Sequence, residues 1–240
     1  MNADKDIPVD RFLHMIAIIP ARGGSKRLPR KNVLPIAGKP LIAYTIEQAQ
    51  QSRLINRVIV STDDDEIASV SKRYGAEVVR RPDELSVDNM STVPVLCHAV
   101  GSLEERESIV LLQCTSPIRN QDDIDKAINV FKEQKSDCLF SACRFKEYIW
   151  QVKGGIAESI NFDYESQFWR GQDFPKQFRA NGSIFIYKRV VLDKLNNIFG
   201  TGKISVYEMD YMSSFQIDTL EEFELCEYIL TKKIQGVHKE

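Results

Sequence analysis

The hydrophobic positions of the chain fall into short apolar runs and longer amphipathic stretches that alternate along the sequence. The apolar runs predict strands at residues 15–20, 57–61, 77–80, 108–114, 138–144, 182–188 and 204–209. The amphipathic stretches predict helices at residues 40–51, 64–74, 94–105, 122–134 and 220–232. Strands that alternate with helices of about 10–15 residues are typical of a mainly parallel sheet covered on both faces. The pattern therefore predicts a three-layer α/β fold.

The alternation breaks between residues 145 and 180, where aromatic side chains are dense but show no clear period. This segment contains both tryptophans of the chain, Trp150 and Trp169. Aromatic density of this kind is typical of an excursion that packs on a partner subunit or forms a lid over a substrate. An ordinary packed loop is the alternative.

Charge and apolar content limit the classes of partner. The 240 residues carry a net charge of −2, which gives no general attraction to nucleic acid or to an anionic membrane. No apolar run approaches the roughly 20 residues needed to span a bilayer. We therefore expect neither nucleic acid nor membrane as a partner.

The amino-terminal segment and the cysteines bear on the compartment. Residues 1–14 form a polar extension that lacks the apolar core of a secretion signal, and residues 15–240 hold the predicted domain. Scattered cysteines without CxxC spacing predict buried free thiols in a reducing compartment and argue against a zinc site. They are Cys97, Cys114, Cys138, Cys143 and Cys226. We expect a cytoplasmic protein.

A cationic loop, residues 22–31, follows the first predicted strand. It contains two glycines, a serine and five cationic side chains, which are Arg22, Lys26, Arg27, Arg30 and Lys31. Glycines let backbone N–H groups approach phosphate oxygens, and lysine and arginine offset their charge. The loop matches neither the Walker A motif nor the dinucleotide fingerprint. Ligands of open parallel sheets bind at the carboxyl ends of strands, where the turn after 57–61 and residues 113–119 also lie.

Several motifs extend this observation over nearly the whole chain after Met15. They lie at residues 19–26, 29–32, 38–41, 60–63, 81–85, 111–119, 181–184 and 217–219. In composition and order they resemble the acylneuraminate cytidylyltransferase (CMP-sialic acid synthetase) family. The resemblance implies a Rossmann-like nucleotidyltransferase fold and a homodimer formed by an excursion such as 145–180.

The resemblance also implies a reaction. CMP would pass from CTP to the anomeric hydroxyl of a nine-carbon acidic sugar of the sialic, legionaminic or pseudaminic type, with release of pyrophosphate and dependence on Mg²⁺. Positioned cations and Mg²⁺ suit this chemistry, since the leaving pyrophosphate gains charge. One alternative is a synthetase for the eight-carbon sugar Kdo, whose relatives usually have a different loop. A second is a non-catalytic nucleotide-binding protein.

Individual residues take their expected roles from matching positions in that family. The catalytic positions are Arg22, Lys31 and Asp218. The nucleotide-binding positions are Ala21, Arg22, Gly23, Gly24, Ser25, Lys26, Asn32, Arg81 and Thr92. Arg81 as a surface residue and Thr92 as a helix cap are the alternatives left open.

The sugar and the metal have their own expected ligands. The sugar-binding positions are Gln113, Arg119, Gln151, Arg170, Arg179 and Asn181, and Arg119 has a second interpretation as a cap for the acidic start of a helix. Asp218 matches a metal-binding aspartate, with a helix N-cap as the alternative. Many relatives carry a second aspartate where this chain has Gln216, an uncharged oxygen ligand at best. Departures around 151–171 leave the identity of the nine-carbon sugar open.

Overall fold

The computed structural model describes residues 15–101, 103, 108–166, 169–170 and 172–236. The strands are β1 (Met15–Pro20), β2 (Pro35–Ile36), β3 (Lys39–Pro40), β4 (Ile55–Thr62), β5 (Glu77–Arg80), β6 (Ile109–Leu112), β7 (Cys138–Phe145), β8 (Trp150–Lys153), β9 (Ile156–Ser159), β10 (Gln177–Tyr187) and β11 (Ile204–Met209). The helices are α1 (Leu41–Gln51), α2 (Asp65–Arg73), α3 (Thr92–Gly101), α4 (Asp123–Glu133) and α5 (Leu220–Ile234). The expected extension 1–14 and the end of the helix predicted at 94–105 lie outside the described residues.

Seven strands form one central sheet in the order β11-β7-β10-β6-β1-β4-β5. Neighbouring strands are parallel except around β10, which runs antiparallel to both β6 and β7. The mainly parallel α/β sheet is thus confirmed. The direction of β10 follows from its connection, because the chain leaves β7, forms a hairpin and returns beside β7 without a crossover helix.

The two faces of the sheet bury separate hydrophobic clusters. Along β1, Ala17 and Ile19 pack with α1, α2 and α4, whereas Ile16 and Ile18 pack with α3 and a 3-10 helix, Arg189–Lys194. This alternation makes β1 the middle of three layers. Burying each of these isoleucines contributes roughly 1.5–3 kcal/mol. Helix α5 packs on a third cluster around α1, next to the carboxyl ends of the central strands.

The excursion between β7 and β10 contains a β-hairpin that the sequence pattern did not predict. Strands β8 and β9 pair in register from Trp150 opposite Ser159 to Lys153 opposite Ile156. At its base, Tyr148 stacks on Trp169 with ring centroids 5.9 Å apart and meets Phe162 edge-on at 4.6 Å. Aromatic packing therefore supports the hairpin where it leaves the sheet. Strands β8 and β9 expose the apolar side chains of Trp150, Val152 and Ile156.

Among the described residues, no helix combines the length and apolarity needed to cross a membrane. All five cysteines are free, and four of them are buried.

Candidate functional site

A polar cavity of about 290 Å³ opens where β1, β5 and β6 end. Its cationic lining residues are Arg22, Lys26, Arg27, Lys31 and Arg81, and its carboxylates are Asp88 and Asp218. The excess of positive charge suits a polyanionic ligand. The cationic loop and residues 113–115 after β6 thus converge as the sheet pattern predicts. The turn after β4, expected at the same place, lies outside the lining, and the loop after β5 lines the cavity as well.

The start of the cationic loop is fixed against the end of β4. The backbone N–H of Ala21 donates to the carbonyl of Ser61 at 2.9 Å, and that of Gly23 donates to Asp63 Oδ1 at 3.1 Å. A β-carbon at position 23 would lie 2.6 Å from Asp64 Oδ2, so only glycine fits there. Gly24 has open space around it, and the N–H of Ser25 donates to the Gly23 carbonyl at 3.0 Å. The chain turns tightly here and presents Arg22 and Ser25 to the cavity.

Lys31 and Asp218 join the loop to the opposite wall of the cavity. Lys31 Nζ, almost fully buried, donates to the Ile217 carbonyl at 2.6 Å and to Asp218 Oδ1 at 3.0 Å. Arg27 pairs with the second oxygen of the same carboxylate at 3.1 Å. Asp218 therefore faces the cationic loop, through Lys31 and Arg27. The N-cap of α5 is Thr219 instead, which forms a capping box with Glu222.

Two charged cavity residues, Arg27 and Asp88, were not assigned a role from the sequence. Arg27 belongs to the same cationic run, and that position was the available signal. Asp88 pairs with Arg22 at 3.1 Å and also contacts Lys26, and these cations lower the pKa of its carboxyl, with Lys26 as the larger influence. Nothing in the local sequence singles out Asp88 as a partner of a loop more than sixty residues away.

Arg81, Thr92 and Gln113 all line the cavity. Arg81 is buried and donates to the Ser61 carbonyl at 2.7 Å, which excludes a surface position. Burial lowers the pKa of its guanidinium, and the nearby Asp63 opposes that shift. Thr92 is the first residue of α3, one position beyond the place of an N-cap, and it faces the cavity.

Asn32 connects the two ends of the cationic loop region through a side-chain hydrogen bond. It is buried, its side chain donates to the Arg22 carbonyl at 2.9 Å, and its Oδ1 accepts from the Cys114 thiol at 3.0 Å. Arg22 and Cys114, the two partners of Asn32, both line the cavity. The contacts of Asn32 thus set the path of the loop backbone.

Two expected sugar ligands are instead enclosed by the protein. Arg119 is buried outside the cavity lining and donates to the carbonyls of Gln113 at 2.6 Å and Ser183 at 2.8 Å. Burial lowers the pKa of Arg119 to about 10. The amide of Asn181 donates to Ser214 at 2.9 Å and accepts from Ser141 at 2.6 Å. Neither side chain reaches the cavity, because each bonds across the junction of β6, β7 and β10.

The other expected sugar ligands lie on or near the hairpin. Gln151 donates to Glu158 at 3.2 Å across the hairpin, and Arg170 pairs with Asp173 at 2.9 Å. Arg179 is exposed on β10. None of the three lines the cavity, so the structure brings only Gln113 of the expected sugar set to it.

The cavity offers one carboxylate of the expected metal set. Asp218 lines it, whereas Gln216 lies outside the lining and its amide nitrogen donates to the Asn181 carbonyl. Within the described ranges, no group of three or more His, Cys, Asp or Glu side chains is placed to hold a metal ion. One carboxylate beside a polyanion site still suits Mg²⁺, which keeps water and phosphate oxygens as its other ligands.

Comparisons with known proteins agree with this geometry. The cytidylyltransferase family model matches residues 16–234. The chain is 36% identical to the N-acylneuraminate cytidylyltransferase of Escherichia coli O18:K1:H7 over 91% of its own length and 52% of that protein. It is 33% identical to the pseudaminic acid cytidylyltransferase of Campylobacter jejuni serotype O:2, over 89% of its own length and 95% of that protein.

Solved structures show the same fold. A CMP:2-keto-3-deoxy-manno-octonic acid synthetase complexed with CTP superposes with a TM-score of 0.69 at 19% identity, over 92% of this chain and 99% of that one. The 4-diphosphocytidyl-2C-methyl-D-erythritol synthase of Anaerococcus prevotii gives a TM-score of 0.64 at 14% identity, over 90% of this chain and 98% of that one. With a family model that matches almost every described residue, the chain belongs to the cytidylyltransferase family and is a nucleotidyltransferase.

Proposed function

We propose that this enzyme transfers CMP from CTP to the anomeric hydroxyl of a nine-carbon acidic sugar, with release of pyrophosphate. The observation that carries the proposal is the cavity in which the cationic loop faces Asp218. The relatives with 33–36% identity are named for N-acylneuraminate and pseudaminic acid, which supports a sugar of this class.

The loop cations suit the chemistry of the transfer. The anomeric oxygen bonds to the α-phosphorus, the bond from that phosphorus to the bridging oxygen breaks, and the hydroxyl proton leaves to solvent or a base. Negative charge grows on the departing pyrophosphate, and Lys31 and Arg22 are placed to stabilise it. Mg²⁺, when bound, would neutralise phosphate charge, and Asp218 is the residue that would hold it.

The two alternatives have less support. The likeness to the eight-carbon sugar synthetase is at 19% identity and concerns the fold. A non-catalytic nucleotide-binding protein would be favoured by Gln216 alone, whereas Arg22, Lys31 and Asp218 all line the cavity. We therefore favour turnover of a nine-carbon substrate.

We further propose that the enzyme is a homodimer joined through the β8–β9 hairpin. Val152 is 71% exposed, Ile156 is 70% exposed and Trp150 is 47% exposed. The pairing places Trp150 and Val152 on one face of the hairpin and Ile156, opposite Lys153, on the other. Large exposed apolar side chains are costly in water, and a second copy of the chain would cover them. The five free cysteines support a reducing, cytoplasmic location.

Pyrophosphate release tests this function directly. The enzyme is incubated with CTP, Mg²⁺ and one of four acids: N-acetylneuraminic, legionaminic, pseudaminic or Kdo. We expect release with at least one nine-carbon acid and little with Kdo. Preferential release with Kdo would support the first alternative, and CTP binding without release across the panel would support the second.

A further inference from the structure

We propose that Asp64 is a positioning residue that, through Arg30, holds the cationic loop in the conformation that faces the cavity. The inference rests on the proposed function, because it concerns how the same loop is prepared for a triphosphate. Neither residue lines the cavity, so neither would be expected to touch the nucleotide.

Arg30 lies outside the lining of the cavity, unlike the other four cations of the loop. Its backbone is left-handed, with φ of 59°, an uncommon conformation for a residue other than glycine. Its guanidinium makes two bonds to the Asp64 carboxylate, one of them 3.0 Å from Nη2 to Oδ1, and it also contacts Glu66. A two-bond arginine–carboxylate pair fixes direction as well as distance. The side chain therefore ties the end of the loop to the protein.

Asp64 is itself held on a rigid element. It is the N-cap of α2, and its Oδ1 accepts from the N–H of Ile67 at 2.9 Å. Its own N–H donates to Thr62 Oγ1 at 3.1 Å. The bond from Arg30 is the largest of the influences that keep the pKa of this carboxyl below its usual range, so the pair is ionised at neutral pH. Arg30 is thus anchored to the junction of β4 and α2.

The beginning of the loop is fixed to the same junction. The N–H of Gly23 donates to Asp63 Oδ1 at 3.1 Å, and the backbone at position 23 lies too close to Asp64 for a side chain. The loop is therefore held at positions 23 and 30 by consecutive residues. Lys26 and Arg27 lie between these two anchors, and Arg22 and Lys31 each lie one residue outside them. A loop ordered in advance loses less conformational entropy when its ligand binds.

Two substitutions isolate the pair with little damage to the backbone. Asp64→Asn keeps a good N-cap residue on α2 but removes the charge. Arg30→Asn removes the guanidinium with a residue that tolerates the left-handed conformation. Asp65→Asn is the matched control, since Asp65 is on the same helix turn, is 98% exposed and pairs with Arg80 away from the loop.

Calorimetric CTP binding without sugar gives the first readout. We expect Asp64→Asn and Arg30→Asn each to weaken binding about five- to tenfold, and the double variant to be no weaker than the weaker single. Asp65→Asn should bind as the wild type does. Simple electrostatics predicts the opposite sign for Asp64→Asn, because loss of a negative charge would tighten CTP binding. Unchanged or tighter binding, or effects that multiply in the double variant, would overturn the proposal.

Amide hydrogen exchange of residues 22–31 gives a readout that needs no nucleotide. Exchange should become faster in both variants of the pair and stay unchanged in Asp65→Asn. A lower melting temperature with wild-type exchange in the loop would mean that the pair only stabilises the fold, which contradicts the proposal. If the wild type bound no CTP, the proposed function would fail, while the exchange rates would still decide whether Asp64 positions the loop.

Discussion

The cationic loop and the aromatic hairpin region differ in how the rest of the chain holds them and in which side chains they expose. The loop is held at both ends by the turn after β4, and its cations Arg22, Lys26 and Lys31 share one cavity. The hairpin leaves the sheet, is supported by aromatic contacts, and exposes Val152 and Ile156. The cationic part of the cavity is thus built from one chain. Of the residues expected to bind the sugar, Gln113 lines the cavity, whereas Gln151 and Arg170 lie on or near the hairpin.

This difference separates the two functional questions. Under the proposed function, a triphosphate binds cavity residues of a single chain, so its binding should survive changes in the hairpin. Choice of sugar and self-association should respond to the hairpin and leave CTP binding intact. The predictions below test each side of that division.

The largest effect is expected for Lys31→Ala. Lys31 is nearly buried, contacts Asp218 and faces the cavity, so its loss removes a cation where charge develops in the transition state. We expect kcat to fall about 10²- to 10³-fold in pyrophosphate-release assays. Lys39→Ala is the control, because Lys39 pairs with Glu47 outside the cavity lining. Near wild-type turnover of Lys31→Ala would contradict a catalytic role for the cationic loop.

Asp218→Asn should shift the metal requirement. The amide keeps the shape of the side chain but loses the charge that would hold Mg²⁺ beside the loop. We expect the Mg²⁺ concentration for half-maximal rate to rise about tenfold or more, as metal-site substitutions commonly cost. Asp210→Asn, an exposed aspartate outside the cavity lining, serves as the control. Superimposable metal titrations for wild type and Asp218→Asn would contradict the assignment.

Charged substitutions on the hairpin should disrupt self-association. Val152→Asp and Ile156→Asp place a carboxylate on a side chain already exposed in the monomer, so the fold should tolerate them. We expect sedimentation velocity to show the dimer dissociation constant raised about tenfold or more. Val190→Asp, 73% exposed on a 3-10 helix elsewhere, should leave association unchanged. A wild-type protein that sediments as a monomer at micromolar concentration would rule out the hairpin dimer.

The smallest effect concerns the pH dependence of stability at the loop anchor. The bond from Arg30 lowers the pKa of Asp64. The ion pair therefore makes its full contribution to the free energy of unfolding above the ordinary aspartate pKa of about 3.9. That contribution is lost as the pH falls through the lowered value. Urea unfolding should therefore show a gap between wild type and Asp64→Asn at pH 7 that shrinks below about pH 4. A gap independent of pH would contradict an ion pair at this position.

The sequence pattern was most reliable where period and motif agree. All seven strands of the sheet were predicted, although β10 begins at Gln177, five residues earlier than expected. Of the cavity residues, Arg22 and Lys31 were found from the composition of the cationic loop, whereas Arg81 and Asp218 were expected from the family resemblance. Apolar runs and loop composition are local properties, so they can be recognised without knowledge of neighbours.

The remaining features depend on contacts between distant segments. Arg119 was interpreted from its charge, but the antiparallel return of β10 brings the Ser183 carbonyl beside it, where that carbonyl accepts from Nη2. Asp63 and Asp64 hold the cationic loop across separations of 40 and 34 residues, which no local pattern indicates. The hairpin strands were missed although residues 150–153 alternate apolar and polar side chains before a Gly-Gly turn, because each strand is only four residues long.

The most direct test of the central claim is a crystal structure with Mg²⁺ and a non-hydrolysable CTP analogue. The account predicts that the triphosphate lies along residues 22–31, with Arg22 and Lys31 within hydrogen-bonding distance of its oxygens and Asp218 at the metal. Arg30 should remain on Asp64. A triphosphate bound away from the cationic loop, or an Arg30 that leaves Asp64 to contact phosphate, would contradict it.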